Sequence, residues 1–320
     1  SLVVEDASIS GNLVDGGQPN QGGGIFLGGS MPVTISRTSI RNNDANKGGG
    51  LSLHQGDLIV EDCTISNNTA ASVGGGLELI HSPPTVASIV HSTIHSNQAL
   101  LGGGIAVGSG GATRIVNSTV SGNSATDDAG GLFLTQSNDV SVANTTITDN
   151  TADSDGDGDG NGGGIVIASG GDVEMRNTIL ADNHDGSTFP SPQVVDCSGT
   201  IQSVGYNLIR SLGHPVPACT IEGDTTGNIT GTDPVLLPLA DNGGPTETHE
   251  LGAGSPAVDA GNPAGCTDPV GSPLPTDQRH GSRKDRCDMG AYEVGADFGL
   301  IFADGFESGG TGEWSSVSGG

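Results

Sequence analysis

Seven times along this chain an aliphatic residue is followed, three positions later, by asparagine. The segments are ASISGN, TSIRNN, CTISNN, STIHSN, STVSGN, TTITDN and TILADN. Their centres are Ile9, Ile40, Ile65, Ile94, Val120, Ile147 and Leu180, and the partners are Asn12, Asn43, Asn68, Asn97, Asn123, Asn150 and Asn183. Between them runs a second motif, GGGIFL, GGGLSL, GGGLEL, GGGIAV, AGGLFL and GGGIVI, whose first apolar residues are Ile25, Leu51, Leu77, Ile105, Leu132 and Ile165. The steps between these are 26, 26, 28, 27 and 33 residues. Self-similarity at this period marks a solenoid. Runs such as IFL and IVI between glycines carry no 3.6-residue period, which excludes an α-solenoid.

Two residues before most centres sits a small side chain, Thr38, Cys63, Ser92, Ser118, Thr145 and Thr178. By strand alternation it faces the same way as the aliphatic. The pattern therefore predicts an all-β parallel β-helix, each coil of short strands pairing with the next, with Ile, Leu and Val stacked inside. Cys63 is expected to be a buried member of the small-residue stack. The asparagines are expected to form a ladder, amide on amide, while tolerating the left-handed backbone of a sharp corner. Seven coils at ~4.8 Å each make a rod of roughly 34 Å.

The repeats resemble those of the chlamydial polymorphic outer-membrane proteins and of secreted bacterial right-handed β-helix proteins, over residues 1 to about 210. Farther on, DPVLLPLADNGGPTETHELGAGSPAVDAG, TDQRHGSR and CDMGAYEV resemble the choice-of-anchor Q domain, in which DQRG is usual and His280 here precedes Gly281. GLIFADGFESGGTGEW resembles a short tail of exported bacterial proteins. The expected division is repeats over 1–210, a disulfide-containing cap or anchor region over 211–295 and a tail over 296–320. The resemblance implies that the parallel β-helix is right-handed and the protein secreted or on the cell surface. No signal peptide is visible in this chain, which opens on SLVVEDASIS.

Ten basic against 37 acidic residues give a formal charge of -27, which argues against nucleic acid or anionic membranes as partners and for cations. No apolar run approaches the roughly 18 residues of a membrane span. Cys197 with Cys219 and Cys266 with Cys287 are similarly spaced and read as two disulfides, each worth ~3 kcal/mol; the alternative is buried free thiols.

Candidate chemistry is sparse. TADSDGDGDGNGGG places Asp153, Asp155, Asp157 and Asp159 on alternate positions, the first three matching the start of a calcium loop with Gly158 as its sixth residue. Its twelfth position is Gly164, so a Ca²⁺ ion would need help from the preceding coil, where Asp127 and Asp128 lie in the equivalent loop. The other reading is a solvated acidic insertion. His91 and His95, four residues apart on an extended chain, are about 13 Å apart and cannot share an ion. Asp233, Asp241, Asp259 and Asp277 read as turn formers beside Pro and Gly.

Two functions fit. One is a non-enzymatic structural or adhesive rod that self-assembles head to tail, its open N-terminal β edge completed by the C-terminal tail of the next copy, with an extracellular glycan or surface partner. The other is a carbohydrate-active enzyme or glycan-binding module, for which a single Trp and two Tyr leave little stacking surface.

Overall fold

The structure is a computed structural model that describes residues 1–14, 20–108, 110–135, 139–158, 160–168, 171–186, 193–212, 219–284 and 286–298. Among these, every regular element is a β-strand, and no helix is long and apolar enough to cross a membrane.

Each coil visits four faces. Face one carries strands such as Val33–Ser36, Leu58–Glu61 and Val86–Val90. Face two carries Ser39–Arg41, Thr64–Ser66 and Thr93–His95, face three short pieces such as Asp44–Lys47 and Gln98–Ala99, and face four Leu51–Leu53, Leu77–Ile80 and Ile105–Gly108. Pairing within the solenoid is parallel apart from one antiparallel pair near its end, His184–Asp185 with Gln193–Val194. The protein is a parallel β-solenoid of about seven turns.

The core follows from the repeats. On face two the centres align in one column, Ile9, Ile40, Ile65, Ile94, Val120, Ile147 and Leu180, continued by Ile209. Face four stacks Ile25, Leu51, Leu77, Ile105, Leu132 and Ile165. Face one contributes Ile35, Val60, Ile89, Ile115, Val142 and Met175, all fully buried. Face three is narrow and lines the interior with alanine, Ala45, Ala70, Ala99, Ala125 and Ala152.

The asparagine ladder forms along its whole length. The Nδ2 of each asparagine donates to the Oδ1 of the next, from Asn12 through Asn43, Asn68, Asn97, Asn123 and Asn150 to Asn183, at 2.8 to 3.0 Å. Asn183 then donates to the carboxylate of Asp196 at 3.0 Å. A carboxyl oxygen accepts without bearing the N–H that a further asparagine would have to place, so it ends the run of amides. Burial pushes the Asp196 carboxyl up to about 7, against the amide donors of Asn183 and Ser211.

One expectation needs correction. The left-handed backbone falls not on the ladder asparagines but on the residue before each, among them Gly11, Asn42, Asn67, Ser96, Gly122, Asp149 and Asp182. The ladder residue must aim its amide inward, so its neighbour turns the corner with its side chain outward. Two further columns are left-handed. One is Asp6, Arg37, Asp62, His91, Asn117, Asn144 and Asn177, between faces one and two. The other is the first residue of each glycine triplet, where Ala129 replaces glycine in AGGLFL. The middle glycine has a different reason: a Cβ on Gly49 or Gly103 would collide with carbonyl oxygens of the next coil.

Parallel pairing runs past the boundary expected at 210. Cys219–Asp224 pairs with Cys197–Val204, and Ile229–Thr230 with Leu208–Ile209, so the solenoid extends to Thr230. Both disulfides form, Cys197 with Cys219 across these last coils and Cys266 with Cys287 beyond them. Cys63 is a free thiol, buried in its stack, and burial pushes it up to about 11. The tail from residue 299 onward lies outside the described residues.

Candidate functional site

The described residues of the segment 233–298 form no regular strands and lie back along face two as a strap. The outward threonines of face two receive it. Thr93 Oγ1 donates to the carbonyl of Glu247 at 2.6 Å, Thr119 Oγ1 to Gln278 Oε1 at 2.7 Å, and the amide of Ala291 donates to Thr146 Oγ1 at 3.1 Å. Ser121 Oγ meets His249 Nε2 at 2.8 Å. Beside the last coils the contact is apolar: Ile179, Ala181 and Leu208 pack with Leu251, Ala257, Met289 and Tyr292.

The left-handed column between faces one and two is the seam. Asn177 Nδ2 donates to the carbonyl of Asp288, Asn144 Nδ2 to Thr267 and Asn117 Nδ2 to Thr276, at 2.9 to 3.0 Å. Higher up, Thr246 Oγ1 donates to the carbonyl of His91 at 3.0 Å, and His280 Nε2 meets Asp62 Oδ1 at 2.7 Å. Inside the strap, Arg279 pairs with Asp277 at 2.6 Å and Arg283 with Glu293 at 3.3 Å, all four buried. Of the four turn-forming aspartates, Asp233, Asp241 and Asp277 cap turns by accepting the amides of Val235, Gly243 and Arg279. Asp259 instead donates its own amide to Asp288.

The strap stops short of the first coils. There an open groove of about 400 Å³ is lined by Ser39, Arg41, Thr64 and His95 from face two and by Asp241 and Glu247 from the strap. His95 points here, 3.7 Å from Glu247, whereas His91 turns at the corner toward His280. The two histidines thus serve different neighbours.

The acidic loop assembles in part. Ligand oxygens of Asp153, Asp155 and Asp157 lie within 4.8 Å of one another. Both carboxylate oxygens of Asp153 already accept the amide of Gly158, at 3.2 and 3.1 Å, and its own amide bonds the carbonyl of Asp127 in the coil before. Asp128 accepts from Asn161 Nδ2 at 3.1 Å, and burial raises its carboxyl above the ordinary range. The loops stack as expected, but Asp127 and Asp128 stand outside the converging trio. Asp159 lies outside the described residues.

Two clusters escaped the sequence reading. The outward column of face four reads Phe26, Ser52, Glu78, Ala106, Phe133 and Val166, and Glu78 is its only charge. Its side chain is 1 % exposed, Oε2 accepts from Ser52 Oγ at 2.6 Å, and Oε1 has no hydrogen bond, with Lys47 Nζ 3.9 Å away. The adjoining cavity of about 180 Å³ is walled by Ile80, Ala106 and Phe133. That is below the roughly 300 to 1,000 Å³ of ordinary ligand sites. The signal was one acidic residue in an otherwise uncharged column. The second cluster, Asp62 with His91 and His280, joins residues 218 positions apart and left no local signal.

Residues 2–120 match a family model described as a right handed beta helix region. No curated protein and no solved structure gives a match. Match and fold together define the class: this is a β-helix protein.

Proposed function

We propose that the chain is a non-enzymatic extracellular rod, structural or adhesive, fastened by its own C-terminal strap. The observation that carries this reading is the occupation of face two: from Asn177 up to Asp62 the strap fills the side of the solenoid where a long ligand could lie. The two disulfides fit an oxidising compartment. The open groove by Arg41 and His95 is the place for a surface partner or glycan. Head-to-tail self-assembly belongs to the same reading, a second copy adding a strand to the sheet that Leu2–Glu5 ends. Calcium at Asp153, Asp155 and Asp157 belongs to the same reading as a stiffener of one edge.

The enzyme reading has one observation in its favour, the buried carboxylate of Glu78 beside a cavity. The deciding experiment incubates the chain with pectin, alginate and other polyuronates, with and without Ca²⁺, and follows unsaturated products and reducing ends. The rod reading expects no turnover. Turnover abolished by Glu78→Gln would replace it with catalysis. Negative-stain microscopy and size exclusion decide self-association, which a monodisperse monomer at high concentration would rule out.

A further inference from the structure

At the upper end of the strap three metal-ligating side chains meet from two parts of the chain. Asp62 and His91 occupy the same left-handed corner on adjacent coils, and His280 reaches them from the strap. One ligand atom of each lies within 4.8 Å of the others, and the two imidazole rings are 4.4 Å apart, centroid to centroid. We propose that Asp62, His91 and His280 bind a divalent transition cation of the zinc class, which staples the strap to the solenoid.

The donor set selects the class. Two imidazole nitrogens and one carboxylate suit zinc and its neighbours, whereas calcium and magnesium require oxygen donors throughout. Metal bonds of about 2.0 to 2.2 Å place ligand atoms roughly 3.3 Å apart, so the trio needs movement of an ångström or so. His280 is 43 % exposed and can supply it. Three protein ligands leave a fourth position for water.

Independent features point the same way. His91 Nδ1 is buried without a hydrogen-bond partner, one of three such side-chain atoms among the described residues. An orphaned buried polar atom is unfavourable, and a metal bonded to Nδ1 would give it a partner. His280 holds a left-handed backbone at φ 66°, a strained geometry for a residue with a Cβ, directly before a glycine that could have taken it. The strain brings its imidazole to Asp62. The charge of -27 also concentrates cations around the molecule.

Loading exchanges existing bonds without net loss of a proton from a neutral site. The Nε2–H bond of His280 to Asp62 gives way to two bonds to the ion, and that proton moves to Nδ1 of the same ring. A metal on His91 Nδ1 sends that nitrogen's proton to Nε2, and one on Nε2 leaves the proton on Nδ1; in both cases the 3.2 Å contact to Asn117 Nδ2 is given up. Arg283, whose charge acts on His91, remains engaged by Asn117 Oδ1 and Glu293, and Arg37, on the coil before Asp62, by Glu5 and Asp6.

The test is titration of the chelator-treated full chain with Zn²⁺ by calorimetry and with Co²⁺ by visible absorption. The expected result is one equivalent bound, with the cobalt spectrum showing nitrogen ligation, and at least about 100-fold weaker binding in His280→Ala and in Asp62→Asn. The double variant Asp155→Asn with Asp157→Asn keeps the site intact and separates it from the acidic loop. His280 is on the exposed tip, so its removal leaves the core untouched. Hydrogen exchange over residues 276–284 slows on loading in the full chain and not in His280→Ala. No stoichiometric binding, or binding that His280→Ala leaves unchanged, would overturn the proposal.

Discussion

The solenoid and the strap solve the same problem by opposite means. In the solenoid every coil repeats its neighbour, so backbone pairing, an aliphatic column and an asparagine ladder are satisfied by the same contacts again and again. The strap has no repeat and no regular strand. It is held by a few side chains that each gather several different partners: Gln278 bonds Thr93, Thr119 and Thr246, and Arg283 bonds Asn117, Glu293 and the carbonyl of Gly290. Stability in the solenoid is therefore spread along the rod, whereas in the strap it sits in a few buried polar groups.

Breaking the strap should accordingly take one residue. Arg283→Met leaves Glu293 buried without its counter-ion, held only by the amides of Lys284 and Asp288, which costs about 3 to 5 kcal/mol. The loss is local: calorimetry should show an early transition for the strap while the solenoid melts as before. One cooperative transition shifted as a whole would erase the distinction between the two regions.

The solenoid's polar column responds to pH through its last member. Asp196 is raised to about 7 by burial, so the native state holds a proton that the unfolded chain releases near its ordinary value. Stability from this group is full below about pH 4 and lost as pH rises through about 7, at most roughly 4 kcal/mol in all. Denaturation of the chain and of Asp196→Asn at about pH 4.5, 6 and 8 should show their difference shrinking as pH rises. A constant difference would mean that the carboxylate is ionised throughout.

A smaller effect is expected where repetition shares the load. Asn97→Ala removes bonds to Asn68, Asn123 and Ile65, and should cost about 1 to 3 kcal/mol over the whole solenoid. Denaturant midpoints at constant slope measure it. The smallest effect belongs to the acidic loop, where chelator should lower the melting temperature by a degree or two if calcium is held; no shift and no heat of binding leave it a solvated bulge.

How much was legible in the sequence follows the same division. The seven centres, the ladder from Asn12 to Asn183 and the burial of Cys63 could be read because each coil restates them. The disulfides could be read from matched spacing. The turn chemistry of Asp233, Asp241 and Asp277 was local and equally plain. The seam was not, because the column from Asp6 to Asn177 varies in residue type and gains its meaning only when the strap lies on it. Glu78 was hidden by its ordinary setting in GGGLEL, where strand alternation turns it outward and neighbouring side chains then bury it. The left-handed corner fell one residue from where the ladder suggested, since a stacked amide and a turning backbone make opposite demands on one residue.

The central claim is that the strap occupies face two in the native state. Hydrogen exchange by mass spectrometry on the full chain tests it directly. The account predicts that peptides over Thr93–His95, Thr119–Ser121 and 276–293 share slow exchange, and that Arg283→Met speeds the strap peptides alone. Rapid exchange of 276–293 in the unaltered chain would show face two open and contradict it.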